Sequence, residues 1–243
     1  MKRAEADETE ILVIDRQEFL DDYWEYQAGE HTTILGPTGA GKTHLCFQLL
    51  EKTARPELPA VTIVMKPRDE TVERWSKGQG YRMVKDWPPQ FMERFRKKPP
   101  GFILKPDHDF DPHIDNPRHR MIFRRAILGS YKAGKRIIFA DELFSLCAEM
   151  KLSDELVAVW TKGRSMEAGV WGASQRPSHI PLWAYSQATH LFIAFDPDDR
   201  AQERYSEISG VDPELVISGI NRLEQFQWLY INQRHRTICI LDE

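Results

Sequence analysis

The run Gly36-Pro37-Thr38-Gly39-Ala40-Gly41-Lys42-Thr43 matches G-x-x-x-x-G-K-[ST] at every fixed position, the spacing of a loop that holds phosphate. A polyphosphate is held best by backbone N–H groups aimed at it from a helix N-terminus, where the helix dipole adds positive potential. Glycines permit the tight loop and the close approach of backbone to phosphate. On this reading Lys42 reaches the β- and γ-phosphates and the Thr43 hydroxyl binds Mg²⁺. His44 follows directly and joins Gly36, Pro37, Thr38, Gly39, Ala40 and Gly41 in the binding set. The flanks agree: Thr32-Thr33-Ile34-Leu35 is short and β-prone, and the residues from His44 to Leu50 read as the first turns of a helix. Without those flanks the run would be a glycine-rich turn, and Lys42 a surface charge.

Such a loop needs a carboxylate to complete the metal shell. Ile137-Ile138-Phe139-Ala140-Asp141-Glu142 offers an apolar strand ending in two acids. Asp141 is expected to hold Mg²⁺, directly or through water, and Glu142 to orient and deprotonate the attacking water. Both lie at a strand's carboxyl end, where open α/β sheets place their ligands. A second strand, Val170 to Ser174, ends in the amide Gln175, followed by Arg176-Pro177. An amide beside the phosphates can hydrogen-bond the lytic water or the γ-phosphate and pass the signal on. Arg164 stands upstream, before the turn at Gly169. It would face outward and could enter a neighbour's site to stabilise transition-state charge. On spacing alone two plainer readings stay open: an arginine complementing a helix C-terminus, and a glutamine capping a turn.

The elements that must position these residues alternate along the chain. Residues 1–27 read as a lead-in, with a strand over 10–15 and a helix over 17–26. From 28 to 243 the pattern is one α/β domain: a mostly parallel sheet flanked by helices, closed by an antiparallel strand pair. Ala60 to Met65 is a core strand expected beside the first, and 68–77 a helix. Residues 78–117 form an irregular, basic insertion. Its prolines, among them Pro88, Pro89, Pro99, Pro100, Pro106, Pro112 and Pro117, argue against long regular elements. Short strands are expected at 81–84 and 102–104. Residues 118–132 read as a basic helix with Met121, Ile122, Ala126 and Ile127 on one face. Helices at 152–168 and 181–187, a strand at 190–195, two helices near 200–208 and 213–217, and strands at 225–231 and 236–241 complete the chain.

Composition bounds the function classes. A chain of 243 residues suits one substantial core. No apolar run approaches the ~20 residues of a membrane-spanning helix. The N-terminal residues are followed by acids, which does not read as a secretory signal. Cys46, Cys147 and Cys239 read as buried free thiols in a reducing compartment. The net charge of −4 gives no global nucleic-acid signature. Locally, Arg82 to Lys105 carries seven basic residues against two acidic, and Asn116 to Arg136 seven against none. These stretches read either as a phosphate-binding footprint or as solvated faces.

Together, the phosphate loop, the strand ending Asp141-Glu142, and Arg164 set ahead of Gln175-Arg176-Pro177 resemble the FtsK/HerA superfamily of DNA-pumping ATPases, from about residue 30 to the C-terminus. The resemblance implies that residues 28–243 are a RecA-like P-loop core, with ATP as substrate and Mg²⁺, a hexameric homo-oligomeric ring, and double-stranded DNA passing through its centre. It implies a Walker B pair in Asp141 and Glu142, a sensor in Gln175 and a trans-acting finger in Arg164. The chain lacks the membrane segments of the cell-division and conjugation pumps, a recognisable winged-helix tail, and an evident β-barrel start of the HerA type. A motor core this bare looks most like the genome-packaging ATPases of tectivirus-like viruses, or a phage or mobile-element relative. That implies work in the host cytoplasm or at the virion. A virion or membrane portal protein is a further candidate partner that no residue names. Two other readings stay open: an ATPase acting on proteins as an assembly factor, and a DNA-binding ATPase that does not translocate.

Other features point less clearly to chemistry. Asp107, His108, Asp109, Asp111, His113 and Asp115 alternate ligand-type residues, but the turn glycine and distal glutamate of a calcium loop are missing, so an exposed acidic loop is expected. The seven tryptophans are spread as packing groups are. Basic and aromatic residues mix over 85–100, as in a pore-facing element or a peripheral insertion.

Overall fold

The apolar runs assemble into one ten-stranded sheet, as the computed structural model shows for the residues it describes, 11–89, 98–175, 181–197, 204–205, 208 and 211–243. The strands are β1 (Leu12–Asp15), β2 (Thr32–Leu35), β3 (Ala60–Ile63), β4 (Arg82–Val84), β5 (Gly101–Leu104), β6 (Arg136–Ala140), β7 (Ala168–Ser174), β8 (His190–Ile193), β9 (Trp228–Asn232) and β10 (Thr237–Asp242). Their order is β1-β10-β9-β8-β2-β7-β6-β3-β5-β4. All pairings are parallel except those that β9 makes with β8 and β10. This is the α/β sheet with a closing antiparallel pair that the sequence predicts. The lead-in contributes β1, which runs parallel to β10 at the sheet's edge.

Helices cover both faces, so the central strands are apolar at every position and not at alternate ones. Successive side chains still divide between two cores. Leu35, Ile138, Val170 and Leu191 face one side, under α4 (Pro112–Ala133), α5 (Leu143–Ala148) and α6 (Ser153–Lys162). Ile34, Phe139, Trp171 and Phe192 face the other, under α2 (Lys42–Thr53) and α3 (Glu70–Gly78). Each large apolar side chain buried this way contributes about 1.5–3 kcal/mol. Trp87, Trp160, Trp171 and Trp228 are buried, and Trp24, Trp75 and Trp183 are half-buried, so the tryptophans are packing groups. The three cysteines are free and buried, as expected.

The structure corrects several local expectations. β3 does not neighbour β2; it lies between β6 and β5, while β2 is flanked by β7 and β8. Sequence proximity does not fix strand adjacency, because a crossover can skip positions in a parallel sheet. The helix expected over 118–132 begins at Pro112. Asp111 caps it, and Pro112 at its first position needs no N–H partner. Pro117 lies within the helix, near its start. Its buried stripe is Ile122, Phe123, Ala126 and Ile127, whereas Met121 is 55% exposed. Asp115 of the acidic run is buried and not exposed. It accepts from the N–H groups of Asp109 and Phe110 and from Arg118, so it ties the helix start together. The helix expected over 17–26 is one turn, Arg16–Glu18, continued by a π-turn to Tyr23. Residues 90–97, 176–180 and most of 198–210 lie outside the described residues, and with them most of the basic-aromatic segment, Arg176-Pro177 and the helix expected near 200–208.

The edge opposite the strands' carboxyl ends carries a buried polar network. Glu30 and His31 precede β2, His190 opens β8, and Tyr230 lies in β9. His190 Nε2 donates to Glu30 Oε2 at 3.0 Å, and the Tyr230 hydroxyl donates to Nδ1 at 2.9 Å. Arg234 donates to Glu30 Oε1 at 2.9 Å. Burial pushes His190 below its ordinary value, against the pull of Glu30. Burial likewise pushes His31 down to about 4. In Glu30 burial acts upward, but hydrogen bonds from His190, the Gln27 N–H and Arg234 outweigh it and hold the carboxyl at about 2. The unfolded chain therefore binds more protons than the folded one at acid pH. Stability contributed by neutral His31 is lost as pH falls from 6.5 toward about 4. Stability contributed by Glu30 is lost as pH falls from 4.5 toward about 2. The urea midpoint is expected to fall steadily from neutral pH into that acid range. A flat midpoint contradicts the assignment of buried neutral histidines.

Candidate active site

The phosphate loop joins β2 to α2 at the centre of the sheet. Gly39 and Gly41 hold φ of 86° and 88°, a region where any side chain is strained, so glycine is required at both. Gly41 caps α2 without any side-chain partner, leaving the first-turn N–H groups directed into the loop. Leu45, Cys46, Leu49 and Leu50 anchor the helix in the core, so the loop rides on a fixed element. The Gly36 N–H donates to Ser174 O at 3.2 Å and ties the loop to the end of β7. Lys42 curls over its own loop, donating to Gly36 O at 2.8 Å and Pro37 O at 2.9 Å. Burial lowers its pKa, while Glu142 and Asp141 pull the other way.

Strand order brings the remaining groups together. β7 lies between β2 and β6, in parallel register with both, so their carboxyl ends share one edge. Asp141 leaves the end of β6 and is buried. The Thr43 hydroxyl donates to its Oδ1 at 2.8 Å. Gln175 leaves the end of β7 and bridges the two sides: Thr38 Oγ1 donates to its Oε1 at 2.9 Å, and its Nε2 donates to Glu142 Oε2 at 3.1 Å. Burial, then the neighbouring Asp141, raises the Glu142 pKa, against Lys42, Lys66 and the Gln175 hydrogen bond. A carboxyl so raised is a better proton acceptor from water than an ordinary one.

One site residue is not legible in the sequence. Lys66, in the segment from β3 to α3, places Nζ 3.2 Å from Asp141 Oδ2 and 3.8 Å from Asp69 Oδ2. A lysine after an apolar run carries no motif signal. Only the adjacency of β3 and β6 brings it to the acid. Lys66, Thr71, Asp141, Glu142 and Gln175 line one cleft with the loop from Thr38 to His44, a volume of about 280 Å³; His44 itself is exposed. A second cleft of about 340 Å³ runs along the loop's other flank, by Pro37 and Ala40, between Phe195 and Phe226.

Arg164 stands apart from this site. It is exposed in a 3₁₀ turn, Gly163–Met166, just before β7 begins. The seven residues of β7 separate it from Gln175 by about 20 Å. It lies at the opposite edge of the sheet from its own phosphate loop.

Several cations of the basic stretches are paired internally among the described residues. On α4, Arg118 bridges Asp109 and Asp115, Arg124 bridges Glu155, and Arg125 bridges Asp86. Lys85 pairs with Asp107 and Lys105 with Glu73. The charge of these five residues is neutralised locally, which favours the solvated-face reading for them. Among the described residues no group of three or more His, Cys, Asp or Glu side chains could hold a metal, so the 107–115 run forms no such cluster. The pair Thr43 and Asp141 is a different case: one hydroxyl and one carboxylate beside a phosphate loop. Such hard oxygen donors fit Mg²⁺, which keeps the rest of its shell for water and phosphate oxygens. Among the described residues no helix is long and apolar enough to cross a membrane.

No protein-family model matches the chain, and no curated protein matches it. Solved structures do. The DNA-packaging ATPase from Sulfolobus Turreted Icosahedral Virus superposes with a TM-score of 0.64 at 15% identity, covering 89% of this chain and 98% of that one. The genome packaging NTPase from Sulfolobus turreted icosahedral virus 2 does so in complex with AMPPCP, with a TM-score of 0.62 at 14% identity over 88% of this chain and 98% of that one. Its complex with ATP-gammaS gives 0.60 at 15% identity over 88% and 96%. At such identities the likeness is one of fold, and it extends over nearly the whole of both chains.

Proposed function

We propose that this chain, which has the fold of a viral DNA-packaging ATPase, hydrolyses ATP and uses the cycle to move double-stranded DNA through a homo-oligomeric ring, a hexamer, during viral or phage genome packaging. The observation that carries the reading is the hydrogen-bonded line Thr38–Gln175–Glu142, which links the phosphate loop to the acid beside Asp141. Thr43 and Asp141 are suited to hold Mg²⁺, which when bound neutralises phosphate charge. The loop N–H groups and Lys42 bind the phosphates, and Glu142 takes the proton of the attacking water. Gln175 touches both the loop and Glu142, so it is placed to sense whether the terminal phosphate is present. Arg164 acts in the neighbouring subunit. Residues 28–243 form the motor, with residues 1–27 as its lead-in, working in the host cytoplasm or at the virion.

The test is steady-state ATP hydrolysis without nucleic acid, with duplex DNA and with single strands, using Glu142→Gln as the blank. Strong stimulation by duplex that the variant lacks is the expected result. Equal rates in all three conditions refute the DNA motor. The internal pairing of the α4 arginines favours one second reading, an ATPase acting on proteins, and equal rates are what that reading predicts.

A further inference from the structure

Both oxygens of Asp141 are engaged, one by the Thr43 hydroxyl at 2.8 Å and the other by the Lys66 ammonium at 3.2 Å. Lys42, the lysine of the phosphate motif, turns away to its own loop's carbonyls. Lys66 is therefore the cation on the carboxylate best suited to Mg²⁺. Its side chain is 53% exposed, on a segment that opens into the cleft shared with Lys42, Glu142 and Gln175.

An ammonium and a divalent cation cannot both sit on one carboxylate without strong repulsion. Once Asp141 is engaged to a metal, Lys66 must find another anion. Asp69 at 3.8 Å is beyond hydrogen-bond reach and already accepts from the Val72 N–H to cap α3. The terminal phosphate of a bound triphosphate is the strongest new anion in the cleft, and lysine's flexible four-carbon stem can carry the charge to it.

We propose that Lys66 is a second lysine for the terminal phosphate within the same subunit, held on Asp141 until a metal–nucleotide complex arrives. The proposal rests on the ATPase reading above, and it distinguishes triphosphate from diphosphate without reference to turnover. The experiment is calorimetric titration of wild type, Lys66→Met, Lys66→Arg and Lys42→Ala with AMPPCP and with ADP, each in the presence of Mg²⁺. Losing one hydrogen bond to a charged group weakens binding about 10- to 100-fold. Lys66→Met is expected to lose that much for AMPPCP while ADP affinity holds, and Lys66→Arg to recover most of it. Unchanged AMPPCP affinity, or equal losses for both nucleotides, overturns the assignment and leaves Lys66 a local partner of Asp141. Wild type that binds neither nucleotide overturns the ATPase reading itself, and this proposal with it. Wild type that binds AMPPCP while Lys42→Ala does not leaves that reading standing, so the Lys66 variants alone decide.

Discussion

Arg164→Ala is expected to keep nucleotide affinity and lose turnover by about 10³-fold or more, the scale on which an arginine supplied in trans acts on phosphoryl transfer. The geometry dictates the direction. Arg164 lies across the length of β7 from Gln175, so removing it cannot disturb its own phosphate loop. Its side chain is exposed, and its backbone lies beside Gly29. The fold should survive the substitution. A mixing experiment separates trans from cis action. Lys42→Ala subunits are expected to be inactive while carrying an intact Arg164, so adding them to Arg164→Ala subunits is expected to restore hydrolysis. Failure of that rescue, or wild-type turnover in the single variant, removes Arg164 from the mechanism and returns it to the role of a cation near a helix end.

Glu142→Gln is expected to bind ATP with affinity near that of wild type and to hydrolyse it about 10²- to 10⁴-fold more slowly, the contribution typical of a positioned general base. The amide keeps the size of the side chain, so the loss reports proton transfer and not packing. A pH profile adds a second readout. Glu142 must be ionised to act, and burial with Asp141 raises its pKa, so turnover falls as pH drops through that raised value. The Gln175 hydrogen bond lowers the same pKa. Gln175→Ala is therefore expected to move the acid limb of the rate to higher pH. An unmoved limb would show that Gln175 does not act through Glu142, whatever its effect on the rate.

The sequence by itself located the phosphate loop and the acid pair, because each sits where an apolar strand ends, while spacing alone left Gln175 open as a turn cap. Strands, glycine punctuation and carboxyl-end acids are local signals. The two buried faces of the sheet were likewise legible as uninterrupted apolar runs such as Ile137 to Ala140. Prolines misled, because their effect depends on position: Pro112 at a helix's first residue needs no partner, so the helix expected from 118 begins six residues earlier, inside what read as an irregular insertion. The basic stretches were left open between two readings for a similar reason, since a run of arginines does not show which of them meet acids from distant segments. What only the tertiary structure decided is strand order. It placed β7 between β2 and β6, which lets Gln175 span Thr38 and Glu142. It also set β3 against β6, which delivers Lys66 to Asp141. The physical reason is that hydrophobic periodicity fixes which face of a strand is buried but carries no label for its neighbour. Adjacency is settled by how the crossover helices pack on the sheet, a property of the whole chain.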